Sequence, residues 1–231
     1  MIEKPDNGLT RSPDSFYRKK FLLSIIIPAL FVFLMWFVKV NEILFETDFS
    51  FLGIYPLSLK GLPGILFSPF IHGDFKHLYS NTIPLLFLGT ALFYFYSEPA
   101  LKIWFLNYFL TGILVWLTGR AAWHIGASGL VYGLTAFLFF SGIIRRYYRL
   151  AALSLLVVFL YGSMVWGMFP GFYRDVSWES HMMGFVSGIL LAIIYRHEGP
   201  QRPVYKWLDE EEELNETEFF SDKSENDADE K

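Results

Sequence analysis

Ser128 lies in "GASG", residues 126–129, just where an apolar run begins. A serine hydroxyl becomes a nucleophile only when a base stands within hydrogen-bond reach. The histidine with the best address is His181, in "SHMMGFVSG". It precedes Gly184 by three residues and Gly188 by seven, so on a helix it shares their face. His77 and Asn81 stand four apart and also share a face. This is the inventory of acyl transfer: a hydroxyl, a base, and donors for a developing oxyanion. Gly126 frees the backbone before the run, and a helix starting at Ser128 leaves unpaired N–H groups there. Tyr132, one turn on, is placed to pack against the His181 ring.

Other chemistries are excluded. The chain has no cysteine, so thiol nucleophiles and thiolate metal sites are absent. His197–Glu198 is followed by Gln201 where a zinc protease needs a second histidine. No aspartate lies in the apolar runs to form a carboxylate pair. Leu130 stands where a soluble nucleophile elbow needs glycine. No metal, cofactor or nucleic-acid site is suggested. His124, close to Ser128 in sequence, sits on a loop with no packing device to hold it, and ranks below His181 as the base. His72 reads as a loop residue bonded to backbone, and His197 as interfacial. Taken singly, each motif has a plainer reading. A serine among small residues packs helices, and His77 and Asn81 can act as interhelical glue.

The elements must bring these groups together. The 231 residues are 53% hydrophobic and only 18% charged, the balance of an all-α polytopic membrane protein. Six apolar runs, at about 21–40, 76–96, 102–118, 128–144, 150–169 and 180–196, each suit a membrane-crossing helix. Basic residues cluster in the tail 1–20, between the fourth and fifth runs (Arg145, Arg146, Arg149) and after the sixth. That asymmetry puts both termini in the cytoplasm. The second, fourth and sixth helices then all enter from the outer side, which carries His77, Asn81, Ser128 and His181 to one depth near the outer face. The pairs Gly129/Gly133 and Gly184/Gly188 are expected to let the fourth and sixth helices approach closely. The outer loop 41–75 is apolar but broken by Pro and Gly, and is expected to lie in the outer interface. The acidic tail 198–231 reads as disordered.

"GASG", "HGDFKHLYSN" and "SHMMGFVSG" together resemble the rhomboid intramembrane serine proteases, over about 21–197. The resemblance implies a six-helix rhomboid-like bundle in which Ser128 is the nucleophile and His181 the base. Asn81, His77 and the Ser128 N–H would form the oxyanion hole, and Tyr132 would stack on the histidine. Gly126 matches the motif's first glycine, and His72 a structural histidine. Substrates would be transmembrane segments of other membrane proteins, entering from the lipid bilayer and cut near the outer face. No cofactor is implied. Family members carry a Trp-Arg pair in the first outer loop, whereas 41–75 has neither residue, so this loop's anchoring is unassigned. The alternative is an inactive rhomboid-like protein that binds or escorts membrane clients. A compact chain without cysteine fits a bacterial inner membrane.

Overall fold

The computed structural model describes residues 13–146, 148–160, 166–171 and 177–201. Most of the expected N-terminal tail and nearly all of the acidic tail lie outside those residues. Seven α-helices follow in order among the described residues: α1 Pro13–Leu44, α2 Gly64–Phe67, α3 Phe75–Phe95, α4 Ala100–Thr118, α5 Ser128–Ile144, α6 Tyr148–Leu160 and α7 Trp178–Ile194. No strand appears among them, only an isolated antiparallel bridge between Ile54 and His124. The spans Asp14–Leu44, Phe75–Phe95 and Ala100–Thr118 are long and apolar enough to cross a membrane. Helices α5 and α7 are apolar and shorter, at 17 residues each.

The apolar runs begin within two residues of the starts of α3, α4, α5, α6 and α7, but the first run and the end of the fifth differ from the helices. Helix α1 begins eight residues before the expected Phe21 and runs four past Val40. Arg18, Lys19, Lys20 and Glu42 there are good helix formers and carry no hydrophobic signal. Asp14 in its first turn suits the positive end of the helix dipole. The fifth run was expected to be helical to about 169. Instead, Trp166–Met168 forms a 3-10 turn, which leads through Phe169 to Gly171.

Helix α5 is the hub, packed by α3, α4, α6 and α7 and buried along most of its length. Lipid is as apolar as leucine, so helices in a bilayer are specified by close packing and polar bonds rather than by the hydrophobic effect. Both occur here. Asn107 of α4, fully buried, donates from Nδ2 to the Leu130 carbonyl at 3.1 Å. A Cβ on Gly184 would overlap the Gly129 carbonyl, and one on Gly188 the Gly133 carbonyl. The two glycine pairs therefore meet, but not face to face. A Cβ on Gly133 would strike Asn107 of α4, and one on Gly129 would meet both Thr111 of α4, at 2.8 Å, and the Ser180 carbonyl of α7, at 3.1 Å. The glycines of α7 admit the α5 backbone, Gly133 admits Asn107 of α4, and Gly129 admits both Thr111 of α4 and the α7 backbone. The expectation that all four serve the α5–α7 contact is corrected for Gly133 alone, whose carbonyl meets Gly188 while its Cβ position faces Asn107, because a helical Cβ and the carbonyl of the same residue point to different neighbours.

The loop 45–74 is built from short turns, and backbone bonds hold it to its surroundings. Ile54 and His124 exchange N–H···O bonds of 2.9 and 2.8 Å. The Gly126 N–H donates to the Ser68 carbonyl at 2.9 Å. Trp116 Nε1 donates to the Ser58 carbonyl at 3.0 Å, and the Tyr108 hydroxyl to that of Leu66. Two lysines do the anchoring that the sequence left unassigned. Lys39 of α1 pairs with Glu42 at 3.1 Å and donates to the His72 and Gly73 carbonyls at 2.8 and 3.0 Å. Lys60 lies 4.1 Å from the Tyr55 ring centroid and 5.5 Å from that of Trp123, cation–π distances.

Candidate active site

Ser128 is the first residue of α5, and Ala127 before it offers no side-chain cap. Gly126 makes this entry possible. Its φ of +100° belongs to a region that disfavours side chains, and a Cβ there would lie 2.6 Å from the His77 ring. The turn is held from below by two bonds. One is the Gly126 N–H bond to Ser68, and the other runs from the Ala127 N–H to His72 Nε2 at 3.4 Å. The first-turn N–H groups of α5 thus open beside a buried serine hydroxyl.

His181 sits one turn into α7, and Ser177 caps that helix. Its Nδ1 lies 2.8 Å from the Gly167 carbonyl. A carbonyl only accepts, so Nδ1 carries the proton and Nε2 keeps its lone pair. The Tyr132 ring lies flat on the imidazole, with centroids 4.1 Å apart and planes 10° apart. Stack and hydrogen bond together fix both the plane of the ring and its tautomer. Among the described residues no hydrogen bond joins Ser128 Oγ to His181.

The donors come from α3. Asp74 caps that helix by accepting the His77 N–H at 2.7 Å. Its carboxyl is held below the usual range, first by that bond. Asn81 is buried, with Nδ2 on the His77 carbonyl at 3.0 Å. The His77 ring stands against Gly126 and edge-on to His72, with centroids 4.9 Å apart. So His72, His77, Gly126, Ser128, Tyr132 and His181 are brought into one neighbourhood. Asn81 faces the bundle with its amide turned along its own helix. Among the described residues no group of three or more His, Asp or Glu side chains is close enough to hold a metal.

His124 differs from its sequence reading. It is buried and firmly held, with Nε2 3.0 Å from the Arg120 carbonyl and Nδ1 2.5 Å from Ser177 Oγ. With both ring nitrogens engaged, it has no lone pair to offer Ser128. Burial also pushes its pKa below the ordinary histidine value, with Arg120 acting the same way and the Arg120 carbonyl and Glu179 opposing. Sequence reasoning missed four other contributors. Asn107 and Thr111 carry a signal, polar residues four apart in an apolar run. Lys39 carries a weaker one, as a charge near the end of a span. The Gly167 carbonyl carries none, since any residue has one.

A model of the Rhomboid domain matches residues 60–198. An uncharacterized protein of Mycobacterium tuberculosis is 36% identical over 185 residues, 74% of each chain. An uncharacterized protein of Mycobacterium leprae is 30% identical over 213 residues, 87% of this chain and 83% of its own.

Proposed function

The chain belongs to the rhomboid family, and on that premise we propose that it is an active intramembrane serine endopeptidase. Ser128 Oγ attacks the scissile carbonyl and passes its proton to His181 Nε2. The Ser128 N–H, Asn81 and His77 stabilise the oxyanion. His181 protonates the leaving amine, which departs and leaves an acyl-serine. Water, losing its proton to His181, then attacks the acyl group and releases the new carboxylate and the serine. No carboxylate is required as a third member, because the Gly167 carbonyl takes over the orienting part of a triad aspartate's role: it holds the proton on Nδ1.

The observation that carries this reading is the preparation of His181, with its tautomer set by Gly167 and its ring held by Tyr132. A histidine that merely filled space would need neither. The missing Ser128–His181 bond favours a second reading, an inactive protein that binds or escorts membrane clients. Catalytic bonds in unliganded enzymes are commonly long and tighten when substrate binds, so the protease reading is preferred.

In this proposal six helices (α1, α3, α4, α5, α6 and α7) cross a bacterial inner membrane, with both termini cytoplasmic and the site toward the outer face. Transmembrane segments of other membrane proteins enter sideways from the bilayer as substrates. The test is cleavage of a model transmembrane substrate by purified protein, together with labelling by a fluorophosphonate. Wild type should cleave and take the label, whereas Ser128→Ala and His181→Ala should fold and do neither. Full cleavage by either variant overturns the dyad. Folded wild type that neither cleaves nor labels leaves the escort reading.

A further inference from the structure

His124 has no step in the scheme above, yet it is buried four residues before Ser128 and its bonds have a direction. The Arg120 carbonyl can only accept, so Nε2 carries the proton and donates to it. Nδ1 is then a bare acceptor, and the Ser177 hydroxyl donates to it at 2.5 Å. With its own proton used, Ser177 Oγ accepts from the Ser180 hydroxyl at 2.7 Å and from the Ser180 N–H at 3.4 Å. The next residue is His181, whose N–H donates to the Ser177 carbonyl at 3.3 Å. An unbroken chain of hydrogen bonds therefore joins the segment entering Ser128 to the first turn of α7.

The two ends of this chain are not equally fixed. His124 is pinned through its backbone to Ile54. The first turn of α7 is held on α5 by glycine contacts, which set how closely the helices approach. Apart from the Tyr132–His181 stack, a glycine face interlocks few side chains, so resistance to its sliding and rotation is left to polar bonds. The His124–Ser177 bond supplies that resistance. Arg120 adds a parallel tie, with its guanidinium 3.2 Å and its N–H 3.4 Å from the Glu179 carboxylate.

We propose that His124 is a positioning residue: through Ser177 it sets the height and rotation of the first turn of α7, and so the reach of His181 Nε2 to Ser128. The inference rests on the protease reading. A displacement of about 1 Å in such a site costs on the order of a hundredfold in rate, so a partial loosening should be visible.

The experiment compares full-length wild type with His124→Phe, His124→Asn, Ser177→Ala and the double variant His124→Phe/Ser177→Ala in detergent. It measures kcat and KM on a transmembrane substrate, the rate of fluorophosphonate labelling, and the melting temperature. Phe keeps a ring without nitrogen, and Asn keeps an acceptor near the position of Nδ1. His124→Phe and Ser177→Ala should each lower kcat and labelling about tenfold with KM nearly unchanged. The double variant should be no slower than the slower single one, because both remove the same bond. His124→Asn should recover most of the rate. Should His124→Phe fail to fold, Ser177→Ala and His124→Asn decide the matter. Wild-type kcat in the folded variants, multiplied losses in the double variant, or Asn as slow as Phe overturns the positioning role. Wild type that takes no label overturns the protease reading instead.

Discussion

At the scale of single residues, the site is made of histidines whose protons are assigned by backbone. His181 donates to Gly167, His124 to Arg120, and His72 accepts from Ala127. His72 yields a pH prediction. Burial, with the neighbouring His77 acting the same way, pushes its pKa from 6.5 down to about 3. Between those values the unfolded chain holds a proton that the folded chain does not. Stability from this group is complete above about 6.5, is lost as pH falls toward about 3, and is level below. A shift of this size corresponds to roughly a few kcal/mol. Melting in detergent should therefore fall between pH 7 and pH 4, and less steeply in His72→Gln, whose amide oxygen can still accept from Ala127. Equal slopes in the two proteins would remove His72 as the cause.

At the scale of elements, the decisive contact is α5 against α7. Helices cannot come this close with any side chain between them, which gives the glycines of α7 a stricter requirement than helix propensity. Gly188→Leu would force its Cβ into the Gly133 carbonyl and within 2.8 Å of the Ala136 Cβ. Overpacking of this kind costs about 1–3 kcal/mol, and here it would also carry His181 away from Ser128. A lowered melting temperature together with loss of fluorophosphonate labelling is expected. Gly73→Ala is the contrast, because nothing lies within 4 Å of a Cβ there. Its stability should stay within about 0.5 kcal/mol of wild type, and a large loss would mean that the local backbone needs glycine for another reason.

At the scale of the whole molecule, a cysteine-free chain is a ready background for measuring topology. Ala121→Cys lies in the connection before α5, and His197→Cys follows α7; both positions are exposed. In intact cells a membrane-impermeant maleimide should label Ala121→Cys at once and His197→Cys only after lysis. The reverse pattern would turn the bundle over and move the site to the cytoplasmic face. The same expectation underlies the loop 45–74, whose lysine anchors at Lys39 and Lys60 stand on the Ala121 side of the bundle in this topology.

The sequence by itself determined the family and the apolar, membrane-like character of the helices, and it nominated the proposed dyad. Each is written locally: apolar run length, the small residues at 126–129, and spacings of three, four and seven that a helix converts into a shared face. Tertiary structure alone decided how those groups are held. The Gly167 carbonyl is a backbone atom that any residue would present, so nothing in the sequence marks it as the partner of His181. The division of labour among Gly129, Gly133, Gly184 and Gly188 depends on helix rotation, which spacing within one helix does not fix. The bond from His124 to Ser177 crosses 53 residues of chain, and only packing in three dimensions turns a loop histidine into a clamp.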